Sequence, residues 1–391
     1  MKHSTLFIAM LVSFVIYGCS NLSKNGYYAN QNKDSKFIFT DSLILNLDDF
    51  STFDILFNQV ANFNDKESLY IFNTVNNSLD IYDLSNGELL HRLIFSTEGP
   101  SEIRNIMNFY VHNEDSIFIY PKMTFNNTTL IDVMGNVSHK YRPTLPTTNQ
   151  IARVLNHNST SSSPTYYYNN FLFFDQLSLR SSLEPETKDF KTSGYVDLNK
   201  DSIYLFENAV YPDLYLNKSM STNFKISSRI LNRNKEWIYS WEALDSLMIF
   251  DVNMNLQKKV YAKSKFKTKE ISSPISFEVR DEIKQAVEET FYSRIVTDPA
   301  NNYYYRIVSI GSIYNPEMDK SVLAAAKNDF SVIVLDKDFK LLDERLFPGD
   351  TYSVFHAFAT EKGLHLPKNN PNYEGLDEEK LVIDIFKLAN E

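Results

Sequence analysis

Two arginines and a run of tyrosines are the densest group of side chains able to do chemistry. Arg294 and Arg306 bracket Tyr303-Tyr304-Tyr305. Arginine offers a planar fork to a carboxylate or phosphate, and a tyrosine ring stacks on sugars or bases. Arg294, Arg306 and Tyr304 are therefore candidate ligand-binding residues. The competing reading is that they line a strand face and pair with Asp298 or nearby acids. Glu98, with Glu102, flanks the breaker Gly99-Pro100. Such a loop either presents an acid to a ligand or is simply solvated.

Motifs that announce catalysis are missing from the sequence. Seven histidines are scattered, with no pair at metal-ligand spacing on a helix. There is no Gly-rich phosphate loop and no Gly-x-Ser-x-Gly elbow. Ser264 and Lys267 form a bare Ser-x-x-Lys in a stretch that is merely basic. His356 falls in the apolar run Val354–Phe358, read here as a strand, where a histidine is a satisfied core residue rather than a base. No catalytic residue, metal ligand or cofactor is assigned.

The elements that must position these side chains repeat along the chain. Leu79-Asp80-Ile81-Tyr82-Asp83 is an apolar strand that ends on an aspartate before the turn Ser85-Asn86-Gly87. The unit returns at Asp132, Asp197, Asp251 and Asp336. An aspartate there can accept the turn's backbone N–H groups, so all five are read as turn residues rather than as a carboxylate array. Glycine is scarce, at 10 residues, so Asn, Asp and Ser must supply most turn chemistry. Aromatic residues reach 14%, which favours strands. Trp237, Tyr239 and Trp241 alternate, so they share one strand face. Between Asp251 and Asp336 the rhythm lengthens. The stretch 277–291 in that gap places Ile283, Val287 and Phe291 on one side of a helix.

Short strands in recurring groups of about 50 residues predict an all-β fold, a six-bladed β-propeller of four-stranded antiparallel blades with one inserted amphipathic helix. No blade can cover both of its own faces. Phe37 to Leu47 is expected to close the ring beside strands from Val354 to Leu388. Two stacked β-sandwiches are the alternative.

The first residues are a targeting segment. Lys2 and His3 precede the apolar run from Leu6 to Tyr17, which is too short to span a bilayer comfortably. Ile16-Tyr17-Gly18-Cys19 resembles the bacterial lipobox, and Cys19 is the chain's single cysteine. That resemblance implies cleavage before Cys19 and lipidation of its thiol. The expected organisation is a signal peptide over 1–18, a lipidated tether over 19–35 and a propeller domain over 36–391. No thiol is left for a disulfide, so a hydrophobic core must carry stability. Removing 1–18 deletes one lysine and leaves the chain slightly more acidic than its net charge of −10. Such a balance argues against nucleic acid and against electrostatic attraction to anionic lipid, so the membrane link is the acyl anchor. Ser20 and the absence of an acidic run after it point to the periplasmic face of the outer membrane rather than the cell surface.

Asp-Ser-Leu or Asp-Ser-Ile occurs at Ser42, Ser116, Ser202 and Ser246. Each copy opens a strand. The tripeptide also looks like the O-glycosylation acceptor of Bacteroidetes secreted proteins, which makes these serines candidate modification sites.

Taken together, the lipobox, Tyr82-Asp83-Leu84, Glu98-Gly99-Pro100, Phe291-Tyr292-Ser293-Arg294-Ile295-Val296 and Tyr303-Tyr304-Tyr305-Arg306 resemble an uncharacterised family of Bacteroidetes lipoproteins with a six-bladed propeller domain. The resemblance implies no activity. The expected role is non-enzymatic binding of a peptide, glycan or envelope protein. A propeller enzyme (lactonase, lyase or glycan hydrolase) is the alternative, and it would gather acids, histidines or a metal at the central channel.

Overall fold

A computed structural model describes residues 27–64, 66–99, 102–103, 106–121, 124–146, 159–178, 183–298, 300, 302–317 and 328–389. The described chain opens with a short helix, α1 (27–31), and strand β1 (Phe37–Asn46). Five blades follow in order. The first is β2 (Asn58–Phe63), β3 (Lys66–Asn73), β4 (Ser78–Asp83) and β5 (Leu89–Ile94). The second is β6 (Ile106–Asn113), β7 (Ser116–Pro121), β8 (Thr128–Ile131) and β9 (Val137–Tyr141). The third is β10 (Tyr166–Tyr168), β11 (Phe171–Asp175), β12 (Ser193–Asp197) and β13 (Ser202–Leu205). The short helix α2 (Asp213–Asn217) leads to the fourth: β14 (Ser227–Leu231), β15 (Trp237–Trp241), β16 (Ser246–Phe250) and β17 (Leu256–Tyr261). Helix α3 (Val279–Glu288) precedes the fifth: β18 (Phe291–Thr297), β19 (Tyr303–Ser309), β20 (Phe330–Asp336) and β21 (Leu341–Phe347).

The sixth blade is composite. β22 (Phe358–Thr360), β23 (Gly363–Pro367) and β24 (Lys380–Leu388) come from the end of the chain, and β1 adds their outer strand. Nine residue pairs, from Phe37 opposite Leu388 to Asn46 opposite Lys380, zip the two ends together antiparallel. The first strands of the blades ring a central channel. β2 touches β6 and β22, β6 touches β10, and β18 touches β14 and β22.

The core lies between blades, not inside them. Leu43, Leu45 and Ile383 of the closing blade pack on Leu69, Ile71 and Tyr82 of the first. Tyr70, Phe72 and Leu79 pack on Phe109, Ile117 and Ile119 of the second. Trp237, Tyr239 and Trp241 are buried in the junction of the third and fourth blades. Each blade thus hides an apolar face only by having a neighbour, which makes closure an energetic requirement.

The repeated aspartates cap turns, as their spacing predicts. Asp132 Oδ1 accepts Met134 N–H at 2.9 Å and Asn136 N–H at 2.8 Å. Asp251 does the same for Asn253 and Asn255, and Asp336 for Asp338 and Lys340. Three residues after each of these three aspartates the backbone turns left-handed, at Gly135 (φ 82°), Met254 (φ 63°) and Phe339 (φ 65°). Only the first is glycine. Met254 and Phe339 are buried, and Phe339 stacks on Tyr304 at 4.8 Å. Their strained φ, a cost of roughly 1–2 kcal/mol each, is offset by side chains that anchor the turn in the core. That explains how so few glycines serve so many turns. At Gly87 (φ 78°) no substitute fits, because an added Cβ would lie 1.9 Å from the Ile44 carbonyl oxygen of β1.

Two segments differ from expectation. Residues 27–35 are not a bare tether. Tyr28 Oη donates to Asp329 at 2.8 Å, Ser35 Oγ donates to Asp343 at 2.8 Å, and Asn32 exchanges two bonds with the Leu346 backbone. These are single side-chain contacts that leave no periodic trace. The run Val354–Phe358 is a 3-10 turn over Val354–His356 before β22, not a strand. Helix α3 lies within the expected 277–291 and buries Val287.

One buried imidazole sets a pH limit. His365 on β23 is 1% exposed and stacks on Phe358 at 4.7 Å. Burial pushes it down to about 4, against an ordinary value of about 6.5. Between those values the unfolded chain binds the extra proton. Stability is therefore expected to fall as pH drops from about 6.5 towards 4, by up to roughly 3 kcal/mol. Urea unfolding across that range should show the loss, and His365→Leu should shrink it. An unchanged acid slope in that variant would contradict the assignment.

Candidate functional site

The channel is not open. Its middle is filled by Ser159-Thr160-Ser161-Ser162-Ser163, held by strands from around the ring. Ser159 N–H donates to Asn108 Oδ1 of β6 at 3.0 Å. The Ser162 carbonyl accepts Arg229 N–H at 2.8 Å and Ser228 Oγ at 2.5 Å, both from β14. Arg294 of β18 donates to Ser162 Oγ. Ser161 Oγ donates to the Ala357 carbonyl at 2.6 Å, and Ser163 Oγ to Asp175 Oδ2 at 2.5 Å. Small hydroxyls can be buried in this way because each finds a partner. The plug leaves a cavity at each mouth, of about 560 Å³ and 420 Å³, and Thr160 lines both.

The larger cavity lies where the first strands of the blades begin. Its wall carries Arg294, Glu242, Asp175, Asp54 and His356, with Phe355, Leu56, Leu177 and Ile226 as apolar surface. Burial pushes Arg294 down to about 10, opposed by the charge of Glu242. Its guanidinium lies 4.6 Å over the Phe355 ring. Its Nε is buried without a hydrogen-bond partner, and no acid among the described residues forms an ion pair with it. Glu242 is 5% exposed. One of its oxygens accepts Ile226 N–H at 3.3 Å, and burial holds the carboxyl well above the usual range, with Arg294 only partly compensating. Asp175 is covered by the Ser163 hydroxyl and has Arg229 Nε at 3.9 Å.

His356 is not a core residue. Its Nε2 lies 3.1 Å from Asp54 Oδ1, and Asn369 Nδ2 lies 2.6 Å from Nδ1. Asn369 also donates to the Phe53 carbonyl, so it is the donor to Nδ1, and the ring proton sits on Nε2 facing Asp54. The hydrogen bond from His356 holds Asp54 below the usual carboxylate range. Both ring nitrogens are therefore engaged, which leaves no free base on the imidazole. Four acids and imidazoles share this mouth, yet no three such groups among the described residues are placed to hold a metal ion.

The expected cationic–aromatic cluster is split by the fold. Arg294 reaches the cavity. Arg306 does not: it is 0% exposed between the fourth and fifth blades. It donates to the carbonyls of Leu244 (2.6 Å), Asp245 (3.1 Å) and Ala262 (2.8 Å), and to Ser240 Oγ (2.9 Å). Tyr292 covers it at 3.4 Å. Tyr304 is buried against Phe339. Their ligand-binding assignment is corrected on that ground: bulged pairing between β18 and β19 separates the side chains, and residues enclosed on all sides cannot meet a ligand. Asp298 pairs with neither arginine as an ion pair; it accepts the Tyr303 N–H at 2.7 Å and closes a turn. Glu98 is exposed on the loop after β5 and lines neither cavity. Ser264 and Lys267 bond to Glu344 and Asp245. Ser116, Ser202 and Ser246 are half-buried and open β7, β13 and β16 as expected, whereas Ser42 lies in the middle of β1 and opens no strand, its Oγ already donating to Asp384 at 2.7 Å. Cys19 lies outside the described residues. Sequence reasoning passed over Glu242, Asp54 and the plug. One signal was available: 159–163 contains five hydroxyls and no charge, which is unusual for a solvated loop in so charged a chain.

Comparison with known proteins agrees with this architecture. No helix among the described residues is long and apolar enough to cross a membrane. A search of curated proteins finds no match. A Bacteroides vulgatus protein described as a member of the DUF4221 family matches with a TM-score of 0.77 at 21% identity, over 91% of this chain and 98% of that one. A Bacteroides fragilis protein named as exported covers 90% of this chain and 96% of its own, at 10% identity and a TM-score of 0.49. Virginiamycin B lyase from Staphylococcus aureus matches at 11% identity and a TM-score of 0.39, over 88% of this chain and 99% of that one. The profile of the domain of unknown function DUF4221 spans residues 34–346, most of the chain. By that span, the chain belongs to the DUF4221 family.

Proposed function

We propose that this chain is a lipid-anchored envelope propeller that binds a ligand, without transforming it, in the larger channel-mouth cavity. The reading rests on Arg294. It is a largely buried cation on a cavity wall that makes no direct ion pair with an acid among the described residues, Glu242 acting on it only at longer range, and such charges are normally paired. A ligand would complete it. The engaged nitrogens of His356 favour binding over the alternative of a propeller lactonase, lyase or glycan hydrolase, since they withhold the evident base. A peptide, a glycan or a segment of an envelope protein would each fit such a mouth. The periplasmic face of the outer membrane is the proposed location, by way of Cys19.

Expression in the native host with two variants tests both halves. Wild-type protein should fractionate with membranes and carry a bound small molecule or peptide in native mass spectrometry. Cys19→Ser should become soluble. Arg294→Met should stay with the membranes and arrive empty. Cys19→Ser protein still in the membrane fraction would remove the anchor, and an unchanged bound species in Arg294→Met would remove the site.

A further inference from the structure

The geometry points to a monoanionic carboxylate, borne on an apolar or aromatic body, as the group this mouth recognises between the Arg294 guanidinium and the Glu242 carboxyl. The inference rests on the binding reading above and gives it a ligand class. Arg294 and Glu242 line the same cavity without forming an ion pair with each other. Arg294 keeps an unbonded Nε, and Glu242 has one oxygen that takes no donor among the described residues. A carboxylate between them would accept the guanidinium's N–H groups and the O–H of the protonated acid, which satisfies both residues at once.

Charge count sets the valence. Arg294 is the one cation on this wall among the described residues. Asp175 is matched by Arg229, while Asp54 is exposed on the cavity wall. One negative charge is neutralised, and a second, as on a phosphate, would face Asp54 unmatched. The planar guanidinium also suits a planar acceptor. Phe355, already stacked under Arg294, and Leu177 form the surface for the ligand body.

Recognition of this kind couples to pH. The groups that face Glu242 are Arg294, Tyr211 and Tyr215, with Asp175, Asp54 and His356 on the cavity wall. Glu242 donates only while protonated, so affinity must fall as rising pH removes its proton.

Calorimetric titration of the full chain with benzoate, and with benzamide as its neutral counterpart, tests the inference. Benzoate should bind and benzamide should not. Arg294→Met should weaken benzoate at least about tenfold. Affinity in the wild type should fall as pH rises through the titration of Glu242, and Glu242→Gln, whose amide cannot lose a proton, should bind with that slope flattened. Benzamide binding as tightly as benzoate would overturn the carboxylate. A slope that survives in Glu242→Gln would overturn the role of Glu242. Should Arg294→Met not fold, the benzoate–benzamide contrast and the Glu242→Gln slope still decide. Failure of benzoate beside a host-derived species lost in Arg294→Met would overturn this inference alone; loss of both would take the binding reading with it.

Discussion

Arg306→Ala should lower the unfolding free energy by roughly 3–5 kcal/mol, the largest effect expected of any single substitution proposed for this protein. The guanidinium donates to three backbone carbonyls and a serine hydroxyl, all in the fourth blade, from a strand of the fifth. Removing it strands those carbonyls away from water, at roughly 1–3 kcal/mol apiece. Desolvating the cation was itself costly, and burial indeed pushes Arg306 down to about 10, so part of the loss is returned. Arg306→Lys should fall between, since it keeps one charge but not the fork. Chemical denaturation measures both. A change below about 1 kcal/mol for Arg306→Ala would show that water replaces the side chain and that the blades are held by apolar contact alone.

Loss of β1 should be more severe. A chain beginning at residue 47 should show no cooperative unfolding transition, while one beginning at residue 27 should behave as the full chain does. β1 supplies the outer strand of the composite blade, and Phe37 packs on Tyr305, Phe347 and Phe386 across to the fifth blade. Its other side covers the first blade through Leu43 and Leu45. Without it, β24 becomes an unpaired edge and two interfaces open at once. Adding a peptide of residues 36–47 should restore the transition. A truncated chain that unfolds cooperatively at the full-length midpoint would mean that the ring does not depend on closure.

The propeller was legible in the sequence because its signal is repeated. One Asp-capped hairpin says little, but five copies locate blades, and the apolar ends of the chain then have only each other to pair with. The tether was misjudged because Tyr28, Asn32 and Ser35 act through isolated side chains that leave no periodic pattern. The site was harder. Arg294 stood out by its type, yet type alone could not separate it from Arg306. Twelve positions and one bulge decide which of the two faces the channel. Glu242 closes the buried run from Trp237 and reads as a strand end; only its position across from Arg294 gives it meaning. The plug was hidden for a similar reason. Serines mark loops when solvated and can fill a channel when paired, and pairing is a tertiary fact.

The most direct measurement is the position of benzoate in crystals of this protein grown with it. The account predicts that the carboxylate lies within hydrogen-bond distance of both Arg294 and Glu242, with the ring over Phe355. Benzoate ordered at the opposite mouth, with the Arg294 cavity holding only water, would contradict it.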